Sequence, residues 1–302
     1  MTVDVPVATC VVVAFHRPQE VEKLLARLSH PKIEIVVVNV DDDPDVAAVS
    51  VGSALALPGN PGYAAAVNAG VRKAGAAVVV FVNDDVDMDA SAVLDLAARV
   101  VSGDADVVLP AVTDAEGRRE PTIAALPSPA GLVREWLLLP DHPPALLRGR
   151  ACGVQKWRAP LVPERIDAGA ATVVAASAAW LRRFPLPEEY FLYWEESDWF
   201  WRLKAAGARV LYDPTIVVGH TGGRDDVRPA KSRLLARNAV RCVRRTQGRR
   251  AAVLAWPVVV LWNLRLVAVD GLRRMGGSRA AAGRLPARVA GLRAALFAWR
   301  EL

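Results

Sequence analysis

Apolar residues in the first hundred positions fall into short unbroken runs separated by stretches with three-and-four spacing. Thr9 to Phe15, Ile33 to Val40 and Ala76 to Val82 are almost wholly apolar and of strand length. That pattern predicts strands buried on both faces of a parallel sheet. Val51 to Leu57 reads as a further strand. Between these runs, Pro18 to Ser29 carries Val21, Leu24, Leu25 and Leu28 on one helical stripe, residues 62–74 carry Tyr63, Val67, Gly70 and Val71, and a third helix covers Ser91 to Val101. Strands alternating with helices predict an α/β fold with a mostly parallel central sheet. Ala170 to Ala176 is another strand, and ordered structure resumes from Tyr190 to Gly222. Residues 110–165, rich in proline and arginine, show no period, and a functional loop region or an irregular surface are both open for them. From Ala230 onward the pattern is helical, interrupted at Pro257 and at Gly276-Gly277. The chain contains no internal repeat.

Two of the apolar runs end in acid. The second closes on Asn39-Val40-Asp41-Asp42-Asp43 and the one at Val82 on Asn83-Asp84-Asp85. Open α/β sheets bind ligands at the carboxyl ends of their strands. Adjacent carboxylates repel each other, which is tolerable where a divalent cation and a diphosphate share the site. Neither GxGxxG nor GxxxxGK[ST] occurs at a strand–helix junction, which disfavours an ordinary dinucleotide fold or a P-loop.

The turn Gly59-Asn60-Pro61-Gly62, then Tyr63-Ala64-x-Ala66-x-Asn68-x-Gly70, the apolar run and Asn83-Asp84-Asp85 together resemble the family-2 inverting glycosyltransferases, in particular their rhamnosyltransferase-like bacterial branch. The resemblance extends from Ala8 to about Asn238. It implies a nucleotide-sugar-binding fold of the GT-A kind over residues 1–227 and a helical extension over 228–302. It also implies transfer of a hexosyl or deoxyhexosyl group from a thymidine or uridine diphosphate donor, aided by Mg²⁺ or Mn²⁺. On this basis Asp85 is the expected principal metal ligand, with help from Asp84 and His220. Phe15, Asn39, Asp41, Asn60, Asn68, Asn83 and Asp84 are expected at the donor. The family's second strand commonly ends in Val-Asp-Asn-x-Ser-x-Asp, whose first Asp reads the base; here Asn39 stands there and Asp41 lies two residues on, on the same face.

A second acidic group follows the aromatic run Tyr190-Phe191-Leu192-Tyr193-Trp194: Glu195, Glu196 and Asp198. Spacing alone makes them favourable charges at a helix N-terminus, with Asp198 and Arg202 a supporting pair four apart. The stretch is similar to the family's Glu-Asp-x-Asp-x-x-x-Arg helix start, with Glu196 in place of Asp. The resemblance makes Glu196 the catalytic base, with Glu195 the alternative. His220, after the apolar Ile216-Val217-Val218-Gly219, is similar to the family's strand-terminal histidine; by itself it reads as a structural residue.

Charge changes the picture at the other end. The net charge of +6 divides into 17 Lys+Arg against two acids from Arg228 to Leu302, a surplus of +15, and 21 against 30 before it, a balance of −9. The basic end suits an anionic partner. Ala251 to Leu264 is an uncharged apolar stretch, too short at fourteen residues for the roughly 20 needed to span a bilayer. It predicts an interfacial helix with Trp256 and Trp262 at its apolar boundary; a core helix is the alternative. Residues 1–7 show no signal-peptide pattern, and the scattered Cys10, Cys152 and Cys242 suit a reducing cytoplasm. The expected setting is the inner face of the cell membrane, with a glycan or lipid-linked acceptor in cell-envelope assembly; a soluble small-molecule acceptor is the alternative. Nucleic-acid binding by the basic end accounts for none of the acids at 84, 85, 195 and 196, and is not expected.

Overall fold

The computed structural model describes residues 6–50, 54–134, 159–221 and 227–302. Three helix-covered parallel strands open the chain: β1 (Ala8–Ala14), α1 (Pro18–Leu28), β2 (Ile33–Val40), α2 (Pro44–Val49) and β3 (Ala54–Leu57). There follow α3 (Tyr63–Lys73), β4 (Val78–Asn83), β5 (Val86–Asp87), α4 (Ala90–Val101) and β6 (Val107–Thr113). Next come β7 (Ile123–Ala124), α5 (Pro129–Leu132), β8 (Glu164–Arg165), β9 (Ala168–Gly169), β10 (Val173–Ser177) and α6 (Ala178–Arg183). The chain closes with α7 (Glu195–Ala205), β11 (Val210–His220), α8 (Pro229–Gln247), α9 (Arg249–Met275) and α10 (Arg279–Phe297). The expected third strand is described from Ala54 on; Val51 to Ser53, most of the aperiodic segment (135–158, with His142 and Cys152) and Gly222-Gly223 lie outside the described residues.

The main sheet runs β3-β2-β1-β4-β10-β6-β11-β5, with β8 paired to β11. Pairings from β3 to β4 and between β6 and β11 are parallel, while β10 lies antiparallel between β4 and β6. Every residue of β1 is buried. Its continuous apolar sequence follows from helices covering both faces, with one apolar cluster on each. Gly70 in α3 is fixed by this packing: a Cβ there would stand 2.2 Å from Val11 Cγ1.

The C-terminal helices form a third cluster around Val240, Val243, Ala255 and Val259, into which Tyr190 and Trp194 of the catalytic region are packed. Pro257 lies inside α9 and does not interrupt it; the breaks fall at Gly248, with φ +87°, and at Gly276-Gly277. A proline in a helix leaves the carbonyl four residues earlier without its donor. Here that residue is the exposed Val253, where water can take the donor's place.

Candidate active site

The site is built on the carboxyl ends of β1, β2 and β4. Asp84 is buried and its Oδ2 accepts the Phe15 N–H at 2.8 Å. Arg17, on the loop after β1, places Nη1 2.8 Å from Asp85 Oδ2 and 3.6 Å from Asp84 Oδ1, so one guanidinium lies against both acids and offsets one of their two charges. His220 at the end of β11 brings Nε2 to 3.5 Å from Asp85 Oδ1, and on the opposite side of its ring Nδ1 lies 3.5 Å from Glu120 Oε2. The backbone N–H and hydroxyl of Thr221 both donate to the Asp85 carbonyl, holding the two strand ends together.

These neighbours set the charges. Burial works against ionisation of Asp85, but His220 and Arg17 outweigh it and hold the carboxyl below its usual range. His220 is raised by Asp85, against its burial. Asp84, with less help, is pushed up to about 6 by burial.

The sign of the Asp84 shift gives a prediction for the ion-free protein. The carboxyl ionises near 3.8 when unperturbed and near 6 in the fold. Stability from it is therefore fully present below 3.8 and lost as pH rises through about 6. Two units correspond to roughly 3 kcal/mol. Asp84→Asn keeps the acceptor for Phe15 and removes the titration, so its stability relative to wild type should improve by up to about 3 kcal/mol between pH ~4 and pH ~8. Urea unfolding at both pH values without divalent ions measures this, and a constant gap would mean Asp84 ionises as freely in the fold as outside it.

The donor-side asparagines behave differently from expectation. Asn39 is buried and clamps its own loop, donating from Nδ2 to the Asp43 carbonyl at 2.8 Å and accepting the Asp43 N–H at 3.0 Å. Asn60 Oδ1 accepts the Gly62 N–H and so holds the turn. Asn68 donates to the Leu186 carbonyl and to Glu188, and accepts the Leu186 N–H. All three amides thus contact the chain's own loops: Asn39 and Asn68 are buried, where an amide must satisfy its polar atoms wherever partners lie, while Asn60 is exposed at its turn. Asp41, 44% exposed with left-handed φ, remains at the open end of β2. His16 bridges it to Asp43, at 3.2 and 2.5 Å, and stands beside the half-exposed Phe15 ring. The sequence gives His16 no role; its only signal is its place after one strand, with Asp41 and Asp43 placed likewise after the next. Arg17 and Glu120 were likewise passed over.

Glu195 and Glu196 open α7. Glu195 is buried and Glu196 half-buried. Asp198 does not face solvent at all: it accepts from the Tyr190 hydroxyl (2.8 Å), Arg202 (3.1 Å) and Arg245 of α8 (2.7 Å). The expected Asp198–Arg202 pair is therefore present. Burial, then the charges of Glu195, Glu196, Asp85 and Asp84, push the Tyr63 phenol well above its ordinary range. The charges of both acid pairs thus act on one aromatic residue at the head of α3. The approach is close: Tyr63 N–H donates to the Phe191 carbonyl, and a Cβ on Gly62 would stand 2.3 Å from that oxygen.

The loop leading to Glu195 is strained. Phe191, Tyr193 and Trp194 all have φ between 65° and 77°, at roughly 1–3 kcal/mol each. It is held from α8, where buried Asn238 Nδ2 lies 3.0, 3.0 and 3.1 Å from the carbonyls of Tyr190, Leu192 and Tyr193. Trp194 adds an indole N–H to the Leu235 carbonyl. Asn238→Ala removes the shared donor, and displacement of the loop by about 1 Å should reduce turnover about 10²-fold. Nucleotide affinity should change far less, and amide exchange over residues 190–194 should accelerate. Equal losses of affinity and turnover would make Asn238 a general stability residue instead.

Among the described residues no three His, Cys, Asp or Glu side chains close on one point to hold an ion. Yet Asp85 Oδ1 and Asn83 Oδ1 are buried without a hydrogen-bond partner, and His220 turns Nε2 toward Asp85 Oδ1 at 3.5 Å. One carboxylate and one imidazole fit a divalent ion that takes its remaining ligands from phosphate and water.

The fold matches known proteins. Residues 9–141 match the family model described as glycosyl transferase family 2. That match includes Asp84 and Asp85 and ends before Glu195, Glu196 and His220. No curated protein matches the chain. Among solved structures, GalNAc-T7 with UDP, GalNAc and Mn²⁺ is similar at TM-score 0.56 and 15% identity, over 80% of this chain and 48% of that one. The Pyrobaculum calidifontis mannosyltransferase PcManGT, in complex with GDP-Man and Mn²⁺, matches at TM-score 0.52 and 14% identity, over 97% and 86%. S. aureus TarS 1–349 matches at 0.50 and 16%, over 96% and 80%. The chain thus spans about half of GalNAc-T7 and most of the other two. At these identities the likeness is one of fold: the architecture is GT-A.

Proposed function

We propose that the chain is an inverting glycosyltransferase that moves a sugar from a nucleoside-diphosphate donor to an acceptor hydroxyl. One observation carries the reading: Tyr63 ties the neighbourhoods of two distant acid pairs together, its N–H donating to the Phe191 carbonyl at 2.9 Å on the loop before Glu195 and Glu196, and its hydroxyl to the Ala171 carbonyl at 2.8 Å, next to the Thr172 carbonyl that accepts the Asn83 N–H beside Asp84 and Asp85. Neither a nucleic-acid-binding surface nor a structural core requires that grouping.

In this reading Asp85 and His220 would hold a divalent ion, Mg²⁺ or Mn²⁺, which would supply Lewis-acid stabilisation to the diphosphate leaving group. Asp84, fixed by the Phe15 amide, faces the donor ribose, and Asp41 beside His16 faces the base. Arg17 exchanges its contact with Asp85 for a phosphate oxygen when the donor enters. Glu196 takes the proton from the acceptor hydroxyl as that oxygen attacks the anomeric carbon; its partial exposure suits a group that must meet an incoming acceptor. Glu195, buried beside it, fixes the helix start. The nucleotide is uridine or thymidine, the sugar a hexose or deoxyhexose as in the rhamnosyltransferase-like branch, and the product a cell-envelope polysaccharide or glycolipid. Residues 1–227 carry these groups, and residues 228–302 brace them through Asn238 and Arg245.

Hydrolysis of uridine, thymidine and guanosine diphosphate sugars with Mg²⁺ or Mn²⁺ tests the reading. Metal-dependent release of one nucleotide is expected; no turnover and no nucleotide binding with any donor would overturn it.

A further inference from the structure

Apart from Arg265 and the arginines at its ends, the outer side of α9 is apolar. Leu254, Leu261, Leu264, Leu272 and Met275 are each between 49% and 77% exposed. Their spacing puts them on one side of a 27-residue helix, along about 32 Å at 1.5 Å per residue. The opposite side, with Ala252, Ala255, Val259, Asn263 and Asp270, is buried against α8 and α10.

Two charged residues, Arg265 and Asp270, lie within the apolar length of α9. Asp270 faces inward and is paired with Arg284 at 2.8 Å and Arg288 at 3.1 Å, so no carboxylate lies on the outer side. Arg265 stacks over Trp262 with its guanidinium 5.0 Å from the ring centre. Trp256, expected at the apolar boundary, instead turns inward and donates its indole N–H to the Ala295 carbonyl at 2.9 Å.

By length and composition α9 is sufficient to cross a membrane. Its packing argues otherwise. α8 and α10 lie against it and carry Lys231, Arg233, Arg237, Arg241, Arg244, Arg245, Arg279, Arg284, Arg288 and Arg293. A spanning α9 would draw these cations into hydrocarbon. A helix lying in the interface keeps them in water while its free side enters the lipid. The exposed pairs Arg249-Arg250 and Arg273-Arg274 bracket the apolar stripe at its two ends, and the surplus of +15 over residues 228–302 gives the segment the sign to meet an anionic surface.

We propose that the outer side of α9 docks in the plane of an anionic bilayer, with Leu254, Leu261, Leu264, Leu272 and Met275 in the acyl boundary and the terminal arginine pairs on lipid phosphates. The chain is then a peripheral protein of the inner face of the cell membrane, positioned to meet a lipid-linked acceptor. Docking does not depend on the glycosyltransfer reading, and its test uses no activity.

The test is flotation of the full chain with phosphatidylglycerol vesicles and with phosphatidylcholine vesicles. Intact protein should float with the first and stay down with the second. Binding should weaken between about 0.1 M and about 1 M salt, over which the screening length falls from about 10 to about 3 Å. Leu261→Asp with Leu264→Asp changes only exposed positions, so folding, checked by circular dichroism, should persist while vesicle binding falls roughly tenfold or more. Arg273→Glu with Arg274→Glu should weaken binding and flatten its salt dependence. The proposal is overturned if intact protein ignores phosphatidylglycerol, or if the leucine variant floats like wild type. It is also overturned if intact protein is a dimer that the leucine variant splits, which would make the stripe an interface between copies of this chain.

Discussion

Asp85→Asn should remove divalent-ion binding and metal-dependent turnover together while leaving the fold intact. The substitution keeps the shape of the side chain and deletes the one charge that both His220 and Arg17 are arranged around. Its Oδ1 takes no hydrogen bond in the fold, so little structure is lost with the charge. Ion affinity in the presence of a nucleoside diphosphate should fall by about 10²-fold or more, since even groups behind a metal ligand are worth 10–100-fold. Titration of Mn²⁺ followed by electron spin resonance reads the ion directly, apart from any assay of transfer. An unchanged Mn²⁺ affinity would remove Asp85 from the role of principal ligand. Release of Arg17 in this variant should leave nucleotide affinity without metal equal to or higher than that of wild type.

Glu196→Gln should lower the rate by about 10²–10⁴-fold, the range for loss of general-base catalysis, with donor affinity changed only a few-fold. The amide keeps the volume and the helix start but has no basic electron pair. Glu195→Gln is the control. Glu195 is buried, and removing its charge should act on stability more than on the chemical step. The reverse result, a large rate loss at 195 and none at 196, would exchange the two roles.

Much of the fold was legible because each early strand is apolar on both faces, and such runs have few other uses. The acids at 84 and 85 were legible for the same reason: a carboxylate pair directly after a buried strand has a narrow set of explanations. What stayed hidden depends on direction and distance. The antiparallel β10 is as apolar as its parallel neighbours, so nothing in its composition gives its direction. Asn39, Asn60 and Asn68 lie at the expected positions, yet their amides are satisfied by backbone groups that only the folded loops bring near. The fourteen-residue apolar stretch was correctly seen but not the helix containing it, because Pro257 reads as a break when the exposure of Val253 is unknown. Asn238 was beyond reach, since its partners lie about 46 residues earlier and are carbonyls, which every residue has.

The clamp on the loop before Glu195 also orders events in time. During synthesis, at about 5–20 residues per second, the sheet and both acid pairs emerge before α8 exists. Until Asn238 leaves the ribosome, nothing in that helix holds the left-handed turn at Phe191, Tyr193 and Trp194, and Glu196 has no fixed address. In the proposed mechanism a nascent chain therefore presents the strand-end acids before Glu196 is held in place, and competence arrives only with the helices that close the chain.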